Sequence, residues 1–166
     1  MDLKQALKKL ESSNELRKWH SKNKNTYFSY AFLIPQEMND EWQLGFYDKK
    51  KDKITTFVIS GNKISIRPEE EVFKEEDKQV NEVHIEKVKI AFDDASSIAS
   101  SFQSKNYPSD KSVKTIAILQ NIEEFGNIWN ITYITESFNT LNMKIDASSG
   151  KMIEHKLSSV LSFRKE

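Results

Sequence analysis

The segment from Trp129 to Glu154, WNITYITESFNTLNMKIDASSGKMIE, constrains the fold more than any other, because an echo of it begins 87 residues earlier at Trp42. Within Ile128 to Ile134, Trp129, Ile131 and Tyr133 fall on one side and Asn130, Thr132 and Ile134 on the other. This period of two predicts a half-buried strand. After the polar run Thr135 to Thr140 the alternation resumes with Leu141, Met143 and Ile145 opposite Asn142, Lys144 and Asp146, so the two runs form a hairpin. Asp146 to Lys151 then combines Asx-turn chemistry with Gly150, a residue able to take positive φ, and predicts a tight turn into a third antiparallel strand.

At a constant offset of 87, Trp42, Leu44 and Phe46 fall on Trp129, Ile131 and Tyr133, and Ile54, Thr56 and Val58 on Leu141, Met143 and Ile145. Extended backward, Thr26 to Ile34 falls on Val113 to Asn121; one inserted residue later, Asn62 to Ile64 falls on Gly150 to Met152. Such a shared register predicts a duplicated unit. The expected organisation is α+β: two tandem α-β-β-β units, residues 1–80 and 81–166, each with a helix packed on an antiparallel sheet.

The helices are placed by spacing and caps. Leu3, Ala6, Leu7 and Leu10 share one face of a helix over residues 2–22, and Ser12-Ser-Asn-Glu15 has capping-box spacing, predicting a kink or restart near Ser12. Pro35 ends the strand Thr26 to Ile34, Met38 to Glu41 turns the chain, and Asp48 to Asp52 forms a solvated hairpin tip. Glu69 to Asn81 is the most polar stretch and the expected boundary, either a short helix or a loose linker. Val83, Ile85, Val88 and Ile90 suggest extended chain. Asp93 is the expected N-cap of a slim helix whose Ala95, Ile98, Ala99 and Phe102 share a face. Leu157 to Phe163 alternates as a separate edge strand.

Chemistry is sparse. Lysine plus arginine and aspartate plus glutamate are both 25, so the chain has no overall basic field for nucleic acid. Locally the charge is uneven: residues 1–25 hold seven basic and three acidic side chains (7 − 3 = +4), and residues 69–94 hold four and ten (4 − 10 = −6). No cysteine is present, which removes thiol nucleophiles and disulfides. His20, His84 and His155 form no metal-binding motif, and the four glycines form neither a GxGxxG nor a phosphate loop. Paired carboxylates fall in polar stretches, and no GxSxG elbow occurs. No catalytic, cofactor or metal residue is therefore assigned. The Asn130-Ile-Thr132 glycosylation pattern lies inside a strand. No run approaches a membrane span, and the N-terminus lacks the apolar region of a leader; a cytoplasmic location is expected as written, and an extracytoplasmic one had a leader been removed. What stands out is aromatic: most of these side chains are expected in the core, and Tyr27, Tyr30, Trp42, Tyr47, Trp129 and Tyr133 are the candidates for an exposed partner-binding ridge or for the interface between the units.

Residues 93–156 resemble a PepSY-type domain: a helix with small residues, a strand, Trp129-x-Ile131-x-Tyr133, then Ile145-Asp-Ala-Ser-Ser-Gly-Lys-Met-Ile153, matching the family's hydrophobic strand, Asp-Ala, short turn, Gly-Lys and apolar strand. The first half departs, with Ser60-Gly-Asn-Lys63 at the signature position. The resemblance implies a cystatin-like arrangement in tandem and a non-catalytic inhibitory or regulatory module, with a peptidase or envelope protein as partner. The rival expectation is a small-molecule binder or enzyme using a pocket between helix and sheet. A third is that one half serves to form a homodimer.

Overall fold

A computed structural model of the chain describes residues 1–35, 41–72 and 78–160. The alternating runs become β1 (Thr26–Leu33), β2 (Glu41–Asp48), β3 (Lys53–Ser60), β4 (Lys63–Ile66), β5 (Glu70–Glu71), β6 (Ser112–Ile122), β7 (Gly126–Thr135), β8 (Asn139–Asp146) and β9 (Met152–Ser159). The helices are α1 (Leu3–Glu11), α2 (Asn14–Lys22) and α3 (Phe92–Asn106). The fold is α+β, with all nine strands in one antiparallel sheet ordered β4-β3-β2-β1-β6-β7-β8-β9 and β5 paired to β3. The two halves therefore share a sheet, fused where Tyr30 to Leu33 of β1 pair with Gln120 to Ala117 of β6. Among the described residues, no helix is long and apolar enough to cross a membrane.

All three helices contribute to one core. Leu3, Ala6, Leu7 and Leu10 of α1, with Ala95 and Ala99 of α3, join Leu44, Phe57, Ile59, Ile131, Met143 and Ile145 of the strands. Central strands β1 and β6 contribute the small Ala31 and Ala117, which leave room above them. Trp42 and Trp129 reach into that space, 6.5 Å apart, with Phe92 at 6.4 and 5.7 Å from them. Under α2, Trp19 meets Phe57 and Phe46 edge-on at 5.3 and 5.9 Å.

The helix starts differ from expectation by one or two residues. The expected break near Ser12 is present, but Ser13 is the N-cap of α2, its hydroxyl accepting the Leu16 N–H; Ser12 closes α1. Helix α1 has a capping box at Asp2 and Gln5. Helix α3 begins earlier than Asp93, with Ala91 at the N-cap, and its two aspartates occupy the first turn, where the helix dipole favours them. The Val83 to Ile90 stretch contains a 3-10 turn at Ile85–Lys87, with Val83 and Val88 buried. In the polar boundary, Glu70–Glu71 pairs as β5; the Met38 turn lies largely outside the described residues, as do the middle of the boundary and the end of the tail. The tail strand is not separate: Leu157 to Ser159 continue β9.

Strand register also departs from the constant offset. Trp42, Leu44 and Phe46 pair with Ile59, Phe57 and Thr55, while Trp129, Ile131 and Tyr133 pair with Ile145, Met143 and Leu141. Counterparts on β3 and β8 are thus 86 apart, so Thr55, Phe57 and Ile59, and not Ile54, Thr56 and Val58, turn to the helices. A one-residue slip exchanges the faces of a strand.

The Asp146 turn holds α3 in place. Asp146 Oδ1 accepts backbone N–H bonds from Ser148 and Ser149 at 2.8 and 2.7 Å, and both serine hydroxyls. The buried Ala147 carbonyl accepts from Lys89 and Ile90, directly before the helix, and Gly150 (φ 76°) lies under Ile98. These bonds, that of the Ser148 hydroxyl foremost, hold the Asp146 carboxyl below its ordinary value of 3.8. A lowered folded-state pKa gives stability that is present above the unfolded value and lost as pH falls through the folded one. Wild type is therefore expected to lose more stability than Asp146→Asn on acidification below about pH 4. Parallel unfolding curves for the two proteins across that range would exclude it.

Candidate functional site

Among the described residues the helices lie on one side of the sheet, and no helix covers the other, the open face. Its middle rows are cross-strand neighbours: Gln43, Phe32, Ile118, Asn130, Lys144 and Glu154 lie opposite one another in sequence across β2, β1, β6, β7, β8 and β9. One row along, Gly45, Tyr30 and Gln120 continue the floor. Over this floor lies a groove of about 570 Å³, lined by Gln43, Phe32, Ile118 and Lys144 of the first row, by Tyr30 and Gln120 of the second, by residues 78–81 and by the β6–β7 hairpin tip.

The walls follow from a fork in the sheet. A bulge at Ser29 bends β1 away from β6, and Ser29 donates to the Gly45 carbonyl. Chain 81–83 fills the gap: Val83 N–H donates to the Phe28 carbonyl at 2.8 Å, and the Asn121 side chain donates to Glu82 O at 2.6 Å. Val83 enters the helix-side core while Gln79 and Asn81 line the groove, so the segment crosses the sheet here. On the far side, Phe125 folds under the Lys144 ammonium, 5.7 Å from its ring centre, a cation–π distance.

Tyr30 shapes the floor. Its ring lies flat against Gly45, where a Cβ would come within 2.0 Å of it, and its hydroxyl bonds Thr56 Oγ1 at 2.8 Å. Burial pushes its phenol above the ordinary range, opposed in part by the Thr56 bond. At the groove's end Lys144 pairs with Glu154, and that bond holds the Glu154 carboxyl below its usual range.

The aromatic ridge is not on the surface. Trp42 and Trp129 are 2% and 1% exposed, and their indole N–H groups donate to the Met1 and Ile90 carbonyls. Tyr133 is also core, where burial raises its pKa. Tyr47 is buried on the open side against Tyr27 and donates to Asp52 at 2.5 Å. Of the candidates, Tyr27 and Tyr30 alone are half-buried, and only Tyr30 lines the groove. Among the described residues the exposed aromatic is instead Phe138, 71% accessible at φ 57° in the β7–β8 turn. An aromatic in a short hairpin turn that favours glycine or asparagine was the available signal. Among the described residues, no group of three or more His, Asp or Glu side chains gathers as a metal would require. Between helix and sheet, near the starts of α1 and α3, lies a cavity of about 110 Å³.

No protein-family model matches the chain, and no curated protein matches it. Among solved structures it is similar to a crystal structure described as a "putative lipoprotein" from Clostridium difficile 630, with a TM-score of 0.56 and 13% identity over 87% of this chain and 91% of that one. At that identity the likeness speaks to the fold.

Proposed function

We propose that this chain is a non-enzymatic protein-interaction module of regulatory type, built from a duplicated PepSY-like unit, and that a protein partner docks on the open face of the sheet. The observation that carries the reading is the groove: the helices leave one face bare, and its middle presents Phe32, Tyr30 and Ile118 beside the amides of Gln43 and Gln120, a mix of apolar anchors and polar groups suited to a peptide chain. Two features support the duplication. Each tryptophan donates to the carbonyl directly before the N-cap of its own half's helix, Met1 before Asp2 and Ile90 before Ala91. Each also stands beside an alanine-bearing central strand, with Ala31 opposite Leu44 and Ala117 opposite Ile131. The halves differ in that the first adds α2 and replaces the Asp146 turn with Gly61-Asn62.

Affinity capture from an extract of the source cells, using wild type and Ile118→Lys in parallel, tests the proposal. A protein retained by wild type and lost from the variant is expected. The same retained set from both would reject the groove as the docking face. A second reading has its own support: about 570 Å³ lies within the range of small-ligand sites. A small molecule that co-purifies with wild type, and not with Ile118→Lys, in native mass spectrometry would favour it.

A further inference from the structure

The two ends of the sheet are finished differently. Strand β4 is a four-residue edge, and Pro68 follows it closely, which blunts pairing with another chain. Strand β9 is eight residues long with no proline, and its middle residues Glu154 to Leu157 are exposed. The β8 register shifts at Ile153, so the regular part of this edge runs from Glu154 to Ser159; among the described residues no strand pairs with its outer side, and such an edge is a template for another strand.

The backbone groups that point away from β8 can be assigned. Val160 N–H donates to the Phe138 carbonyl at 2.9 Å. Partners alternate along an antiparallel ladder, so Ser158, Lys156 and Glu154 turn their backbone groups toward β8 and those of Leu157 and His155 point outward. The side chains alternate as well: Glu154 and Lys156 stand on the open face beside Lys144 and Asn142, and His155 stands on the helix face. There His155 is fixed, with Tyr107 Oη at 2.7 Å from its Nδ1 and the Phe102 ring centre at 4.7 Å.

Read outward from His155, the strand runs Glu154 and Ile153 one way, Lys156 and Leu157 the other. This order is self-complementary in antiparallel pairing. We propose that two copies of the chain join edge to edge along β9, about a twofold axis at His155. His155 then bonds His155 of the second copy through the outward-pointing backbone groups of both. Glu154 meets Lys156 twice, and the regular ladder ends at Glu154, where the β9 bulge begins. Each Glu154 lies between its own Lys144 and Lys156 of the second copy. Sliding the second copy two residues either way sets Glu154 against Glu154 or Lys156 against Lys156, so charge selects the register. An isologous seam of this kind closes the assembly at two copies and leaves both grooves open.

The test is charge exchange read by the mass of the purified protein in solution, from sedimentation equilibrium. Wild type is expected at twice the 19.3 kDa chain mass. Glu154→Lys alone and Lys156→Glu alone should each be monomeric, with dimerisation weakened at least about tenfold. An equal mixture of the two single variants should dimerise, because it restores both opposite-charge pairs, and so should the double exchange. Should Glu154→Lys fail to fold beside Lys144, Lys156→Glu and the double exchange carry the same comparison. A monomeric wild type at the highest soluble concentration overturns the proposal, as do single variants that dimerise like wild type. Lys156 does not line the groove, so the comparison of Lys156→Glu with wild type is independent of it, whereas Glu154→Lys removes the partner of Lys144 at the groove's end.

Discussion

Trp129→Ala is expected to lower unfolding free energy by about 3–5 kcal/mol, and Trp42→Ala by a similar amount. Both rings are almost wholly buried, and each removal would leave a void over the alanines of the central strands, which have no side chain long enough to fill it. The loss goes beyond volume. Each indole N–H holds the chain entering a helix, at 3.0 Å to Met1 and 2.9 Å to Ile90, so truncation also frees the start of α1 or α3. Trp→Phe separates the two contributions: it keeps most of the ring contact and gives up the bond, for a cost nearer about 1 kcal/mol. The rings contact each other and share Phe92, so the double alanine variant should not cost the sum of the singles. Urea unfolding of the set measures all of these. A neutral result at either position would remove that tryptophan from its assigned place at the junction of the halves, and with it the main support for duplication.

How far this arrangement was legible in the sequence depends on the strand. Around Trp129 the alternation is clean, apolar on one side and polar on the other, and the face assigned to β7 and β8 is the face observed. On β3 the run Thr55 to Ile59 is buried throughout, because the open side is covered too: Tyr30 lies over Thr56. A strand buried on both faces carries no period, so nothing local resists a slip of one residue. The loop lengths then hide the true offset, since the β2–β3 connection holds one residue more than the β7–β8 connection. The Asp146 turn was readable from Asx and glycine chemistry, whereas the use of the Ala147 carbonyl to dock residues 89 and 90 depends on where the chain returns. The groove had no local signal. Its lining comes from β1, β2, the 78–81 segment, β6 and β8, and the fusion of β1 to β6 alone brings them together. For the aromatics the core expectation matches the burial of Trp42, Trp129, Tyr47 and Tyr133, and Trp42 meets Trp129 between the halves; which of them would form a ridge was not legible, because an aromatic residue on a strand reads the same whether the face above it is bare or covered.

Gly45→Ala is expected to cost about 1–3 kcal/mol, a large effect for one methyl group on a strand. Alanine is ordinarily the better residue there, because glycine loses more backbone freedom on folding, so backbone entropy predicts the opposite sign. The close approach of Tyr30 decides it. A Cβ at position 45 would lie 2.0 Å from Cε1 and 2.3 Å from Cδ1 of the ring, far inside contact distance, and the ring cannot yield while its hydroxyl stays bonded to Thr56. It must swing off the sheet, which breaks that bond, uncovers Thr56 and removes part of the groove's floor. Burial is what raises the Tyr30 phenol, so its titration should move back toward the ordinary 10.0 in the variant, observable by ultraviolet difference against Tyr30→Phe. The sharper check is a double-mutant cycle. Once Tyr30→Ala has removed the ring, adding Gly45→Ala should cost nothing, and the recovered backbone entropy should make the pair slightly more stable than Tyr30→Ala alone. If Gly45→Ala costs the same with and without the ring, the clash is not its cause, and the glycine is required by the backbone itself.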